Sequence, residues 1–583
     1  MIQWAASSRM GRENRGASKV SEEFMGQAMP EGLKSSSIKN SLADSYISIF
    51  LFVAFSCLPF TPHSLEPHSF SPPPTTCLHL HLSRSTRPSL PAYTAPFVGG
   101  LVAAPPHTAM EDQEQLTEVV GTSRIKFCGN PAVIREEVKQ LFLLAGPLVL
   151  TQVMTYSLNF ISSAFGGHLG KYELGAISLA TSVISVTGVA VGTGLSMACD
   201  TLISQMYGSK QLKQIGVVLQ RAILILMVFC CPCWALFINT EKILLAARQD
   251  PEVARLCQLY VTIFIPALPA VFLYQIQVRY LQNQGIIMPQ VFTGIVANVL
   301  SVVMNYSFLI VLKLGVVGSA CANLISQYCQ TIVLLVYIRW RRLYVHTWGG
   351  WTRDCLQDWG SFLQLAIPSM VMFCIEFWAY EIGSFLAGLI DQVQLGAQVV
   401  IFQFLTILFM IHVGIGMAAG IRVGMALGAG RPQQAKTSAM TALVCTGCVA
   451  LVLMTSLLLL KDVIAKIFTS NRQIIELVSS TIPIIAPFHL CDAIGSGAAS
   501  GIVRGIGMQK VGAIANLVAF YIVGIPVGIA LMFAAKIGIL GLWAGLAIST
   551  FLLSAFFLTL IFRMDWGAAA QEASAGFLHF DRP

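Results

Sequence analysis

The sequence predicts an all-α integral membrane protein: twelve transmembrane helices in two pseudo-symmetric six-helix lobes around a central cleft. Three observations carry this reading. The chain is 55% hydrophobic and only 11% charged, with a mean hydropathy of +0.71, far more apolar than a soluble globular protein. From residue 141 onward, apolar stretches of about 20 residues recur, each long enough for a hydrocarbon core of about 30 Å. The stretches also fall into two similar halves.

The spans lie near 141–165, 175–198, 215–238, 258–280, 290–312 and 315–338, then 361–388, 395–419, 438–460, 477–502, 510–534 and 537–563. Ala145-Gly-Pro147 opens the first as Ala366-Ile-Pro368 opens the seventh, and Leu174-Gly-Ala176 opens the second as Leu395-Gly-Ala397 opens the eighth. Tyr207-Gly-Ser matches Leu427-Gly-Ala, Ala297-Asn298 matches Ala515-Asn516, and Lys313-Leu-Gly matches Lys536-Ile-Gly. Six spans per half is an even number, so both halves enter from one side and form parallel repeats. The domains are therefore an N-lobe over 141–338, a linker over 339–360, a C-lobe over 361–563 and a tail over 564–583. Two related lobes about a cleft suit an alternating-access carrier, and Pro266, Pro269 and Pro526 suit bent helices. Residues 1–109 form a low-complexity extension unlike the rest, with Met110 a candidate start and 110–140 a cytoplasmic segment. The tail is too short and too polar to cross a bilayer.

A net charge of +8 does not point to nucleic acid, because the basic residues sit singly or in short groups beside the spans. They place the linker and the N-terminal segment on the cytoplasmic side. Cys230, Cys231 and Cys233 lack the spacing of a zinc or disulfide framework, so no metal or cofactor is expected. No Gly-x-x-x-x-Gly-Lys-Ser/Thr loop for ATP is present.

The strongest functional signal is a pair of glutamates, Glu376 and Glu381, inside an apolar run with Phe377, Trp378 and Tyr380 between them. An ionisable group in mid-membrane costs a few kcal/mol, so it serves a cavity, an ion path or a substrate. Glu376 and Tyr380 are four apart and share a helix face, whereas Glu376 and Glu381 are about 140° apart. Glu376 is expected to face the central cavity as the alternating proton and cation site, with Glu381 second. A carboxylate in a low-dielectric cavity attracts a cation strongly and holds a proton more readily than one in water. The aromatics offer π faces to a flat or quaternary cation, Tyr380 more than Phe377 or Trp378 because it shares the Glu376 face. His489 and Asp492, three apart, either form a hydrogen-bonded relay or leave His489 as a core residue. Asp200 and Arg422, at equivalent cytoplasmic span ends, are either an inter-lobe gate pair or plain helix-end charges.

Several long strings give the chain a family resemblance: Ala198-Cys-Asp-Thr-Leu-Ile-Ser-Gln-Met-Tyr-Gly-Ser209, Gly318-Ser-Ala-Cys-Ala-Asn-Leu-Ile-Ser-Gln327, Gly424-Met-Ala-Leu-Gly-Ala-Gly430 and Arg504-Gly-Ile-Gly-Met-Gln-Lys-Val-Gly-Ala513. With the segment from Glu376 to Phe385, they resemble the mammalian branch of the multidrug and toxin extrusion (MATE) family over about 135–563. The resemblance implies export of small organic cations in exchange for protons by a non-enzymatic carrier, working as a monomer in the lipid bilayer of the plasma membrane, at an apical face in some epithelia. It singles out Glu376 and Glu381. It also exposes departures. Gln403 stands where a glutamate is usual, Asp492 where a longer acid is usual, Ser185 in place of asparagine and His412 in place of proline. Gln403 does not titrate. The competing readings are a lipid-type flippase, which would favour basic residues in its cleft, and a non-transporting scaffold.

Overall fold

A computed structural model describes residues 131–166, 169, 171–246, 249–469 and 471–578. The N-terminal extension and the proposed Met110 start lie outside the described residues.

The spans form as expected but run longer than the apolar stretches that announce them. They are α1 (Pro131–Gly166), α2 (Tyr172–Gly208), α3 (Gln214–Ile238), α4 (Pro251–Phe264 and Ala267–Gln282), α5 (Met288–Val311) and α6 (Gly315–Trp340). The second half adds α7 (Trp359–Gly388), α8 (Gln392–Gly428), α9 (Pro432–Leu459), α10 (Arg472–Ile506), α11 (Gln509–Ala534) and α12 (Ile539–Arg563). Polar residues extend the helices beyond the apolar core, so α1 begins ten residues earlier than the sequence suggested and α8 reaches 37 residues. The fourth span bends where Pro266 suggested, as two segments that meet at 57° at Ile265-Pro266. Proline lacks the amide that would continue the ladder there. Large apolar side chains stand exposed along the outer faces, including Leu143, Val303 and Phe551, as a lipid-facing surface requires. The tail is not irregular: Trp566–Leu578 forms α13, capped by Asp565 and packed on α8 and α9 through Trp566, Ala570 and Ala573.

The repeat is written into the backbone. Lys313 and Lys536 both adopt the left-handed conformation (φ 50° and 56°), and Gly315 and Gly538 follow with φ 59° and 66°. Asp250 caps the start of α4 by accepting from the amides of Glu252 and Val253, and Asn471 caps α10 by accepting from that of Gln473. Asn298 of α5 donates to the carbonyl of Met154 in α1 (2.9 Å), and Asn516 of α11 donates to that of Met372 in α7 (3.0 Å). A glycine one turn earlier in each case, Gly294 and Gly512, lets the same methionine approach.

Two cores hold the lobes, and each borrows from the other. Leu141, Ala145 and Leu148 of α1 lie in the C-lobe core, while Phe362 and Ala366 of α7 lie in the N-lobe core. Inside the C-lobe, α8 and α10 run parallel along Gly416, Gly420 and Gly424 facing Gly497, Gly501 and Gly505. A Cβ on Gly501 would stand 2.0 Å from the Gly416 oxygen, and one on Gly505 2.4 Å from that of Gly420. Small residues at every fourth position allow this approach. The lobes themselves meet where α2 ends against α8: a Cβ on Gly208 would lie 2.1 Å from the Met425 oxygen, and one on Gly428 2.0 Å from that of Gln205. This end carries the 339–360 linker, so the lobes are closed on the side the charge pattern marks as cytoplasmic.

Gly501→Val is expected to destabilise the protein by about 1–3 kcal/mol through overpacking, seen as a lower midpoint in detergent thermal unfolding. Gly447→Ala, inside α9 where a Cβ meets nothing within 4 Å, should not lower the midpoint, because alanine favours a helix interior by about 0.5–1 kcal/mol over glycine.

Candidate functional site

The acidic residues of the apolar run separate onto different faces. Glu376 is half-buried on the stripe of α7 that carries Met372 and Ala379 into the C-lobe core. Its electrostatic neighbours are Ser496, Asp492 and Arg504 of α10, Asn516 of α11 and Tyr380 of its own helix. All belong to the C-lobe. The stripe that carries Glu376 is the one packed on α11, and its polar neighbours on other helices are those of its own lobe.

Asp492 is 5% exposed and accepts a hydrogen bond from the Tyr380 hydroxyl (3.3 Å). The Tyr380 ring is held by Phe402, Phe488 and Phe520, with centroids 6.0, 6.4 and 6.2 Å away. Immediately after Asp492 the helix widens into a π turn over Ala493–Ala499, a local insertion frequent at functional positions. The turn brings Ser496 beside both carboxyls. The result is two acids, one phenol and a ring of aromatics enclosed in one helical lobe.

The remaining residues named from the sequence do not all join this group. Glu381 lies on another stripe of α7, half-buried and without a hydrogen bond or ion pair among the described residues. Phe377 stacks on Phe373 (6.3 Å, 6°). Trp378 is 37% exposed and its indole donates to the Val186 carbonyl of α2 (3.2 Å), bridging the lobes. Ser185 opens the adjoining π turn of α2, Ser185–Val189, and is half-buried. Gln403 accepts a short hydrogen bond from Tyr156 of α1, so its amide joins α8 to the N-lobe.

Of the two readings of His489, the relay with Asp492 does not form. His489 is 1% exposed and meets His412 edge to face at 4.9 Å, while Asp492 engages Tyr380. The close passage of α8 and α10 along their glycines brings the two imidazoles together. Nor do Asp200 and Arg422 pair. Asp200 accepts from Arg279 (3.1 Å) and Asn283 (3.0 Å) within the N-lobe. Arg422 donates from Nε and Nη2 to the two carboxylate oxygens of Glu137 of α1 (2.7 and 2.6 Å), and that carboxylate also accepts from Ser438 of α9. The α1–α8 packing puts Glu137, not Asp200, opposite Arg422. Sequence reasoning missed Glu137, Asn516, Ser496 and the part played by Arg504. The local signals for them were the match of Ala515-Asn516 to Ala297-Asn298 and the glycine spacing that brings α10 against α8.

Fold and site together define a multi-pass helical membrane protein of two parallel repeats, with a buried carboxyl pair in the second lobe. Comparison with known proteins narrows this class. The MatE family matches over residues 147–307 and 368–530, once in each lobe. Multidrug and toxin extrusion protein 1 of Danio rerio is 54% identical over 471 residues, covering 79% of this chain and 80% of that protein. Multidrug and toxin extrusion protein 1 of Homo sapiens is 53% identical over 446 residues (76% and 78%). The crystal structure of the eukaryotic MATE transporter AtDTX14 is 30% identical, with a TM-score of 0.73, over 76% of this chain and 99% of that one. An outward-facing multidrug resistance MATE family transporter of the MOP superfamily, 17% identical with a TM-score of 0.63, shares the fold over 75% and 97% of the two chains. The chain belongs to the MATE family of transporters.

Arg422→Ala strands Glu137, whose side chain is only 9% exposed; removing one partner of a buried pair costs about 3–5 kcal/mol. Thermal unfolding is expected to show that loss, and Glu137→Ala combined with Arg422→Ala should recover part of it.

Proposed function

We propose that this chain is a secondary antiporter that exports small organic cations across the plasma membrane in exchange for protons, working as a monomer. The single observation that carries this is the enclosure of Glu376 and Asp492 in one lobe beside Tyr380. Two carboxyl groups within electrostatic reach of each other, one buried and one half-buried, favour a bound positive charge. A proton neutralises one as well as an organic cation does, so the two compete for the same charge. Competition for one site, together with alternating exposure to the two sides, is sufficient for exchange.

Each residue has a distinct part in this reading. Glu376 is the primary site, because it reaches both α10 and α11. Asp492 sets the charge of the pair, and the Tyr380 hydroxyl orients it. The rings of Tyr380 and Phe402 give the cation a π surface worth about 0.5–2 kcal/mol. Gln403, engaged by Tyr156, acts as a neutral tie between α1 and α8. The acidic character of the site favours a cation over the anionic headgroup that a flippase would bind.

The test is efflux of a radiolabelled organic cation from membrane vesicles under an imposed proton gradient. Glu376→Gln should lower gradient-driven efflux at least about tenfold, Asp492→Asn should do the same, and Asp492→Glu should retain most of it. Efflux that follows sodium would move the coupling ion. No efflux from correctly inserted protein would favour a scaffold.

A further inference from the structure

The closed end of the molecule contains a polar network that the carboxyl site does not explain. A small cavity between the lobes, about 10 Å³, is lined by Asp200, Arg279, Gln282, Gly501 and Arg504 among others. Asp200 and Arg279 belong to the N-lobe and Arg504 to the C-lobe. The backbone of α10 is tied across this boundary: Thr201 of α2 donates to the Arg504 carbonyl (2.5 Å), and Gln205 donates to that of Gly505 (3.1 Å). Gln509 of α11 donates to the Thr201 hydroxyl (2.5 Å). The guanidinium of Arg504 itself donates to Ser500, one turn back on its own helix (2.6 Å).

Arg504 therefore has an acid of each lobe in its surroundings: it shares the cavity with Asp200, and its guanidinium turns back to Ser500, one turn from the Ser496 that lies beside Glu376. Asp200 lies across the lobe boundary, and Glu376 lies within the C-lobe; both are within electrostatic range of the guanidinium. The charged groups around it are Asp200 from α2, Arg279 from α4 and Glu376 from α7, while α8 contributes only Met417, Gly420 and Ile421 to the cavity. Asp200 is already held by Arg279 and Asn283, so its position is fixed.

We propose that Arg504 couples the charge of the C-lobe carboxyl site to closure of the lobes, by dividing its attraction between Glu376 and Asp200. This rests on the reading of Glu376 as a proton site. When Glu376 is ionised, Arg504 is shared between an acid of its own lobe and one of the other. When Glu376 takes up a proton, the C-lobe side loses one negative charge while Asp492 and the Tyr380 hydroxyl stay beside it, so the share of Asp200 rises and the guanidinium pulls the end of α10 toward α2. Protonation then favours the closed arrangement, and loss of the proton loosens it. Arg504 is a positioning residue: it acts on the lobes and needs no contact with the transported cation.

Hydrogen–deuterium exchange on the purified full chain tests this without transport. Exchange of residues 198–208 and 500–506, corrected for the intrinsic rate, is compared at about pH 5.5 and about pH 8. The wild type is expected to be at least about threefold better protected at the acidic pH, and Arg504→Gln to lose that difference while remaining monodisperse. Glu376→Gln should stay at the acid-like level at both values. A wild type with no pH difference, or an Arg504→Gln variant that keeps it, overturns the proposal. A Glu376→Gln variant that keeps the difference overturns both the proposal and the proton-site reading. If Arg504→Gln does not fold, Arg504→Lys and Ser500→Ala carry the test: both are expected to narrow the difference at least about twofold, and its full retention in both overturns the coupling.

Discussion

Two carboxyl groups, Glu376 and Asp492, share the interior of a helical lobe that lies within the bilayer, and the rest of the structure accommodates that constraint. Uncompensated charge is costly there, so the lobe supplies dipoles and rings in place of water. Tyr380 bonds Asp492, and three aromatic rings fix Tyr380. The π turn after Asp492 and the Asn516 bond to the α7 backbone set the distance between the elements that carry the acids. The glycine seam between α8 and α10 matters for the same reason: it is what brings the helix of Asp492 deep enough into the lobe.

The two halves share an ancestry of geometry but not of chemistry. Asn298 and Asn516 make the same bond, Asp250 and Asn471 the same cap, and Lys313 and Lys536 the same left-handed turn. Yet the acid pair belongs to the C-lobe. The N-lobe places a half-buried acid, Asp200, at the closed end with Arg279 instead. The exchanged helix starts, α1 into the C-lobe core and α7 into the N-lobe core, mean that separation of the lobes has to move these two helices with it.

Much of this was legible in the sequence, for physical reasons. A membrane requires long apolar spans, so their number and the repeat appear as hydropathy and as short matched strings. Glu376, Tyr380 and Asp492 stand out because polar groups are rare in such spans. Pro266 announced a bend, though not the break that it makes. What remained hidden depends on distant packing. Nothing near Arg422 points to Glu137, and only the antiparallel contact of α1 with α8 pairs them. The His489–Asp492 spacing was correct for one helix face, but the approach of α8 gave His489 a different neighbour, His412.

The most direct test of the central claim is equilibrium binding of a radiolabelled organic cation to the purified protein across pH, without any gradient. If protons and cations compete for the Glu376–Asp492 pair, cation affinity falls steadily as the solution is acidified, and Glu376→Gln removes the dependence. An affinity that stays constant with pH, or rises in acid, contradicts competition at this site.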